Sequence, residues 1–163
     1  MEYLYILQQA LVWVVTIFWL YQFIVSICSL VKLKDKPLIE EKDNRFMAII
    51  PAHNEEAVVG NLVQSLMNQN YPKELFDVYV IADNCTDNTA KVAKEAGAIV
   101  LERKDEHHKT KGYALNWFLN KKIEENAKYD AFCVFDADNI VDKGFLKAMN
   151  KKLCQGEDVV QGY

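Results

Sequence analysis

The chain opens on an unbroken apolar run and then changes rhythm. Residues 3–31 contain no charged side chain, and the run Leu11-Val-Trp-Val-Val-Thr-Ile-Phe-Trp-Leu20 lies inside them. About 20 apolar residues cross a bilayer core, so the pattern predicts one transmembrane helix within 1–32. Tyr3, Tyr5, Trp13, Trp19 and Tyr21 add aromatics of the kind that settle at headgroup level. A cleavable signal peptide fits poorly, because the apolar run is too long and has no small-residue cleavage site after it. Residues 33–45 are polar, carry Pro37, and read as a juxtamembrane linker.

From Phe46 onward, short apolar runs alternate with helical spacing. Phe46-Met-Ala-Ile-Ile50, ended by Pro51, reads as a strand. Asn54 is placed to cap a helix, with Glu55 and Glu56 in its first turn. Val58, Val59, Leu62, Val63 and Leu66 then recur at helical spacing. Phe76 to Ala82 is the second strand. A helix starts at Thr86 or Asp87 and stops at Gly97. Ala98 to Leu101 is the third strand, and a helix follows from Lys111 to Asn126. Ala131-Phe-Cys-Val-Phe135 is the fourth strand. A helix carrying Phe145, Leu146, Met149 and Leu153 comes next, and Asp158 to Tyr163 reads as a fifth strand cut short. This alternation predicts an α/β fold over 46–163: a Rossmann-like, mainly parallel sheet with helices on both faces, preceded by the transmembrane helix.

Charge narrows the picture. The formal net charge is −4 and the pI about 5.4, which argues against a general nucleic-acid binder. Lys32, Lys34 and Lys36 directly follow the apolar run, whereas the first residues carry only Glu2. The positive-inside rule then places the polar part in the cytoplasm, on a single-pass anchor. Cys28, Cys85, Cys133 and Cys154 form no C-x-x-C pair and no zinc-like spacing with the three histidines, so they read as reduced packing residues.

Ligands of parallel α/β sheets bind beyond the carboxyl ends of the strands, so the chemistry belongs there. Neither G-x-G-x-x-G nor G-x-x-x-x-G-K-[ST] occurs, so the usual glycine-rich phosphate cradles are missing. Asp136 and Asp138 flank Ala137 just past the fourth strand. Two like charges this close are costly unless a hard cation relieves them. Mg²⁺ typically takes one or two protein carboxylates and completes its shell with phosphate oxygens. The alternative is a polar strand end that opens a turn. Asp83 ends the second strand and is placed to accept a hydrogen bond from a base N–H, such as N3 of uracil. The alternative is an Asx-turn helped by Asn84 and Thr86. Asp87 and Thr89 read as caps of the following helix. Lys111, beside Gly112, and Arg103 are placed to meet a phosphate, against the alternative of a solvated basic loop. His53, His107 and His108 show no pattern that marks a metal ligand.

Four stretches together resemble a known family. Pro51-Ala-His-Asn-Glu-Glu56, Asp83-Asn-Cys-Thr-Asp-Asn-Thr89, Lys111-Gly-Tyr-Ala-Leu-Asn116 and Phe135-Asp-Ala-Asp-Asn139 stand in the order found in family 2 glycosyltransferases, inverting enzymes of the GT-A fold. The resemblance implies a nucleotide-sugar site, with a UDP-sugar as donor. It places Pro51, Ala52, Asn54, Glu55, Asp83, Arg103, Lys111 and Asp136 around the nucleotide, with Asp83 at the base. It makes Asp136 and Asp138 the Asp-x-Asp element that faces ribose and a Mn²⁺ or Mg²⁺ on the diphosphate. A saccharide or lipid-linked acceptor suits a membrane-anchored relative. The family's catalytic base is an acidic residue well after Asp-x-Asp, so the expectation is a donor-binding half whose base lies beyond Tyr163.

Three functions follow from this reading. The first is metal-dependent glycosyl transfer with inversion. The second is a non-catalytic, membrane-anchored module that binds nucleotide sugar or assembles with a partner subunit, since a cut sheet leaves an edge open to pairing. The third is a nucleotidyltransferase; it ranks last, because its basic triphosphate loop is replaced here by the acidic stretch 51–56.

Overall fold

The computed structural model describes residues 1–30, 37–39 and 42–162. Lys32, Lys34 and Lys36, part of the expected linker and Tyr163 lie outside the described residues. The chain divides into two units, Met1–Pro37 and Leu38–Tyr163.

Among its described residues the first unit holds one helix, α1 (Glu2–Ser29). Its segment Glu2–Cys28 has a mean hydropathy of 2.1, long and apolar enough to cross a membrane. At 1.5 Å per residue such a segment reaches about 40 Å, beyond the roughly 30 Å of a hydrocarbon core. Two of its hydroxyls are satisfied within the helix: Thr16 Oγ1 donates to the Val12 carbonyl (2.8 Å) and Ser26 Oγ to the Gln22 carbonyl (2.8 Å). In lipid, where water cannot substitute, such internal pairing is what a polar side chain needs.

The second unit carries β1 (Phe46–Ala52), α2 (Val59–Met67), a 3₁₀ turn (Lys73–Leu75), β2 (Phe76–Asp83), α3 (Thr89–Glu95), β3 (Ile99–Arg103), α4 (Lys111–Glu124), β4 (Ala131–Val134) and α5 (Phe145–Cys154). The four strands form one sheet in the order β3-β2-β1-β4, and every pairing is parallel. Both faces are covered, which is why β1 and β2 read as continuous apolar runs rather than alternating ones. On one face Ile50, Ala48 and Val80 pack with Leu62, Val63 and Leu66 of α2 and Leu146 of α5. On the other, Met47, Ile49, Tyr79 and Ile81 pack with Ala114 and Phe118 of α4. The order of strands reverses direction at β1. β2 and β3 are laid down on one side of it and β4 on the other, so a crevice opens where β1 and β4 end.

Several boundaries differ from the sequence expectation. β1 runs through Pro51 instead of stopping before it. The carbonyl of Ile49 faces β4, where it accepts from Phe135 N–H (3.0 Å). Pro51, two residues on, faces the same way. β4 has already ended there, so the missing proline N–H forfeits no ladder bond. Asn54 does not cap α2, which starts only at Val59. It sits at φ 55°, and its Oδ1 accepts from Thr86 N–H (2.8 Å) instead. The expected fifth strand is not formed among the described residues: residues 158–162 are irregular. Asn44, in the stretch expected as linker, is buried: its Nδ2 donates to Asn150 Oδ1 (2.8 Å) and its carbonyl accepts from Tyr71 OH (2.7 Å).

Candidate functional site

A cleft of about 350 Å³ opens at the carboxyl ends of β1, β2 and β4. Pro51, Ala52, Glu55, Asp83, Lys111, Asp136 and Asp138 all line it, together with His53, Lys109, Ala114 and Ala137. Two of the residues expected around a nucleotide stand elsewhere. Asn54 serves the framework of the turn, and Arg103 lies behind Asp83 and not on the cleft wall.

The turn 51–56 is locked to the start of α3. Glu55 N–H donates to Thr89 Oγ1 (2.8 Å) and Glu56 N–H to Asp87 Oδ2 (3.2 Å). In return Asn88 N–H donates to Glu56 Oε2 (2.8 Å). Asp87 also accepts from the hydroxyl (2.5 Å) and N–H (2.9 Å) of Thr89, the first residue of α3. Partial burial pushes the Asp87 carboxyl up, but these donors outweigh it and hold the group below its ordinary range. Burial likewise raises the Cys85 thiol, which packs against the turn 3.4 Å from Asn54 N. His53 Nδ1 lies 2.7 Å from the Asp83 carbonyl, so that nitrogen carries the proton and donates.

Asp83 is buried, and its partner is Arg103. The two are register partners on β2 and β3, and Arg103 Nη1 donates to Asp83 Oδ1 (2.7 Å). Their side chains are only 8% and 6% exposed, so this ion pair is largely out of water. Asn84 Nδ2 donates to the same oxygen (3.1 Å). Asp83 Oδ2 makes no hydrogen bond among the described residues. The carboxylate is therefore not spent on an Asx-turn; it keeps one oxygen for the cleft.

At β4, alternation sets the geometry. Phe135 and Ala137 are buried, which turns Asp136 and Asp138 outward, both exposed. Behind them, Gln69 of the α2 end ties down the following loop: its Nε2 donates to the Asp142 carbonyl (2.7 Å) and its Oε1 accepts from Leu146 N–H (3.0 Å). Lys111 Nζ, at the first residue of α4, is ion-paired with Asp136. Asp138 has no such partner among the described residues.

The two carboxylates could supply only part of the shell of a hard divalent cation. Among the described residues no three His, Cys, Asp or Glu side chains converge as a complete metal site. Two outward carboxylates beside lysines instead match an ion that takes one or two protein oxygens and draws the rest from a phosphate ligand. The sequence reasoning missed Lys109, which lines the same cleft, and Asp105, which grips Arg103 from its far side (2.7 Å). Both sit in a charged loop where no period distinguishes one residue from the next.

Known proteins share this architecture. A family profile described as Glycosyl transferase family 2 matches residues 47–163. "Probable glycosyltransferase YdaM" of Bacillus subtilis (strain 168) is 34% identical over 101 residues, 58% of this chain and 23% of that protein. "Beta-monoglucosyldiacylglycerol synthase" of Nostoc sp. is 38% identical over 95 residues, 55% of this chain and 19% of that protein. The chain thus spans about a quarter or less of the length of these relatives. Among solved structures, the mannosyltransferase PcManGT from Pyrobaculum calidifontis, in complex with GDP-Man and Mn²⁺, superposes with a TM-score of 0.65 at 19% identity, over 82% of this chain and 39% of that one. The M. tuberculosis glucosyl-3-phosphoglycerate synthase, in complex with Mg²⁺ and UDP, gives 0.53 at 25% identity, over 68% and 40%. S. aureus TarS 1-349 in complex with UDP gives 0.52 at 25% identity, over 64% and 30%. With the profile covering most of its length, the chain belongs to glycosyl transferase family 2.

Proposed function

We propose that this chain is the donor-binding part of a membrane-anchored, inverting glycosyltransferase that takes a UDP-sugar together with Mn²⁺ or Mg²⁺. One observation carries the reading. Asp83, Lys111, Asp136 and Asp138 come from two strand ends and a helix start, and the fold brings them to one crevice at the switch point of the sheet. Solved structures of similar fold that hold UDP support the choice of nucleotide.

In this reading Asp83 Oδ2 accepts the single N–H of a uracil edge, and Pro51 and Ala52 offer an apolar shelf beside it. Asp138 and Asp136 would hold the cation, and Lys111, paired with Asp136 in this structure, would be placed to meet the diphosphate. The bound cation supplies Lewis-acid stabilisation of the departing nucleotide. Lys111 adds positive charge where negative charge develops, a role preorganised groups fill without reorganisation. An acceptor hydroxyl needs a base within hydrogen-bond reach. No residue within 1–163 is assigned that role. α1 anchors the chain with the second unit on the cytoplasmic side, in keeping with Lys32, Lys34 and Lys36. A saccharide or lipid-linked acceptor follows, supported by a relative named for a glucosyl diacylglycerol product.

The test is calorimetric titration of UDP into the full chain in detergent, with and without Mn²⁺. Saturable binding that needs Mn²⁺ is expected. Asp138→Asn should weaken it at least about tenfold, the usual size of losses around a metal. Absence of binding by a demonstrably folded protein overturns the proposal.

A further inference from the structure

Behind the base-facing aspartate lies a closed ring of polar contacts that neither the family motifs nor the cleft requires. Arg103 is its hub. The guanidinium donates from Nη1 to Asp83 Oδ1 (2.7 Å) and to the His108 carbonyl (2.9 Å), and from Nη2 to Asp105 Oδ2 (2.7 Å). Asp105 is fixed in its turn. Its Oδ1 accepts from the N–H groups of His107 (3.0 Å) and His108 (3.1 Å), and its own N–H donates to Asn84 Oδ1 (2.8 Å). Asn84, at φ 51°, closes the ring by donating from Nδ2 to Asp83 Oδ1 (3.1 Å). Those N–H donors, His107 first, hold the Asp105 carboxyl below its ordinary range, so it stays ionised opposite Arg103.

We infer that Asp105 is a positioning residue for nucleobase selection: by holding the far side of Arg103 it keeps Asp83 Oδ1 occupied and leaves Oδ2 as a lone acceptor. This rests on the reading of Asp83 as the base-facing group. A planar guanidinium held on two sides cannot rotate away from either carboxylate. A lone acceptor suits the uracil edge, which presents one N–H between two carbonyls. Guanine presents two adjacent donors, N1–H and the N2 amino group, and those fit a carboxylate with both oxygens free. The ring therefore favours uracil and penalises guanine, a preference built by occupying an acceptor and not by adding a contact.

The experiment titrates UDP and GDP, each with Mn²⁺, into the full chain in detergent, wild type against Asp105→Asn. Asparagine keeps an oxygen for the two N–H donors but removes the charge facing Arg103. GDP affinity is expected to rise about tenfold as Asp83 Oδ1 is freed for a second donor, the scale of one charge-assisted contact, and UDP affinity to change less than about twofold. Asp105→Glu, which keeps the charge, should recover part of the preference. Equal changes for both nucleotides, or none in a folded variant, would leave Asp105 as mere loop structure and overturn the inference. If wild type bound neither nucleotide, the cleft reading itself would fail; if it bound GDP as well as UDP, only the selection argument would. Should Asp105→Asn not fold, Asn84→Ala cuts the ring on its other side and carries the same expectation.

Discussion

Asp77 and Asp83 stand on the same strand, at its two ends, and each faces an arginine. At the amino end, Asp77 Oδ2 accepts from Arg45 Nη2 (2.9 Å) and from Tyr129 OH (2.7 Å), and Tyr79 OH adds a contact to Tyr129 (3.1 Å). Arg45 also stacks over the Tyr129 ring at 5.0 Å. Burial and these neighbours push the Tyr129 phenol well above its ordinary range, so it remains a donor at any ordinary pH. At the carboxyl end, Asp83 meets Arg103 out of water and still leaves an oxygen open. The Arg45–Asp77 pair, by contrast, is 45% and 28% exposed. The lesson concerns capacity and not charge. A polar cluster whose groups satisfy one another pins strand starts together. At the other end Asp83 is buried yet keeps a spare oxygen, and Asp138 nearby is exposed with no ion-pair partner among the described residues, which is the spare capacity the proposed donor site would use.

The largest test of that contrast is Asp83→Ala. Removing one partner of a buried ion pair leaves the other uncompensated, which commonly costs 3–5 kcal/mol. Asp105 remains to hold Arg103, so about 3 kcal/mol is expected in urea denaturation of the full chain in detergent. UDP affinity should fall at least about tenfold in the same variant. A stability loss with unchanged UDP binding would make Asp83 a second Asp77 and erase the distinction.

The mirror substitution, Asp77→Ala, should do less and do it elsewhere. Its ion pair is half exposed and worth little, while the Tyr129 hydrogen bond contributes on the order of 1 kcal/mol. A loss of about 1 kcal/mol is expected, with UDP affinity within about twofold of wild type. A tenfold loss of binding would show that the two ends of the sheet are coupled, and the contrast between a closed and an open cluster would fail.

The two ends were not equally legible in the sequence. The apolar runs at 46–50 and 76–82 announced their strands, and strand ends announced where to look. Asp136 and Asp138 were legible because two carboxylates one residue apart are conspicuous after an apolar run. Arg103 was a candidate in the sequence, but its place was not legible there. It was expected at a phosphate, and the register that sets it beside Asp83 appears only once β2 and β3 are paired. Asn54 misled for a related reason. Its type suits a helix cap, yet a left-handed turn spends its side chain on Thr86. Pro51 misled because proline ends strands only where its missing N–H is needed, and that depends on where β4 stops. Such facts belong to partners distant in sequence, and no local pattern holds them.

The smallest effect tests the cleft end by pH. Asp87 is held below its ordinary value of 3.8: burial works against the charged form, and Thr89 and Glu56 donors more than compensate. A carboxyl whose value is lowered on folding stabilises the folded state above its unfolded value, and that contribution is lost as pH falls through the folded one. Asp87→Asn should therefore be less stable than wild type at pH 5, and the gap should close as pH drops below about 3.8. Urea midpoints of the two proteins at pH 5, 4 and 3 measure it. Because Asp87 acts by holding the turn 51–56 against α3, its loss should also weaken UDP binding less than the loss of Asp83 does. A gap that stays constant with pH would mean that the Asp87 carboxylate is not held by these donors. The turn would then keep its shape without it, and the open cluster would rest on Asp83 and its arginine alone.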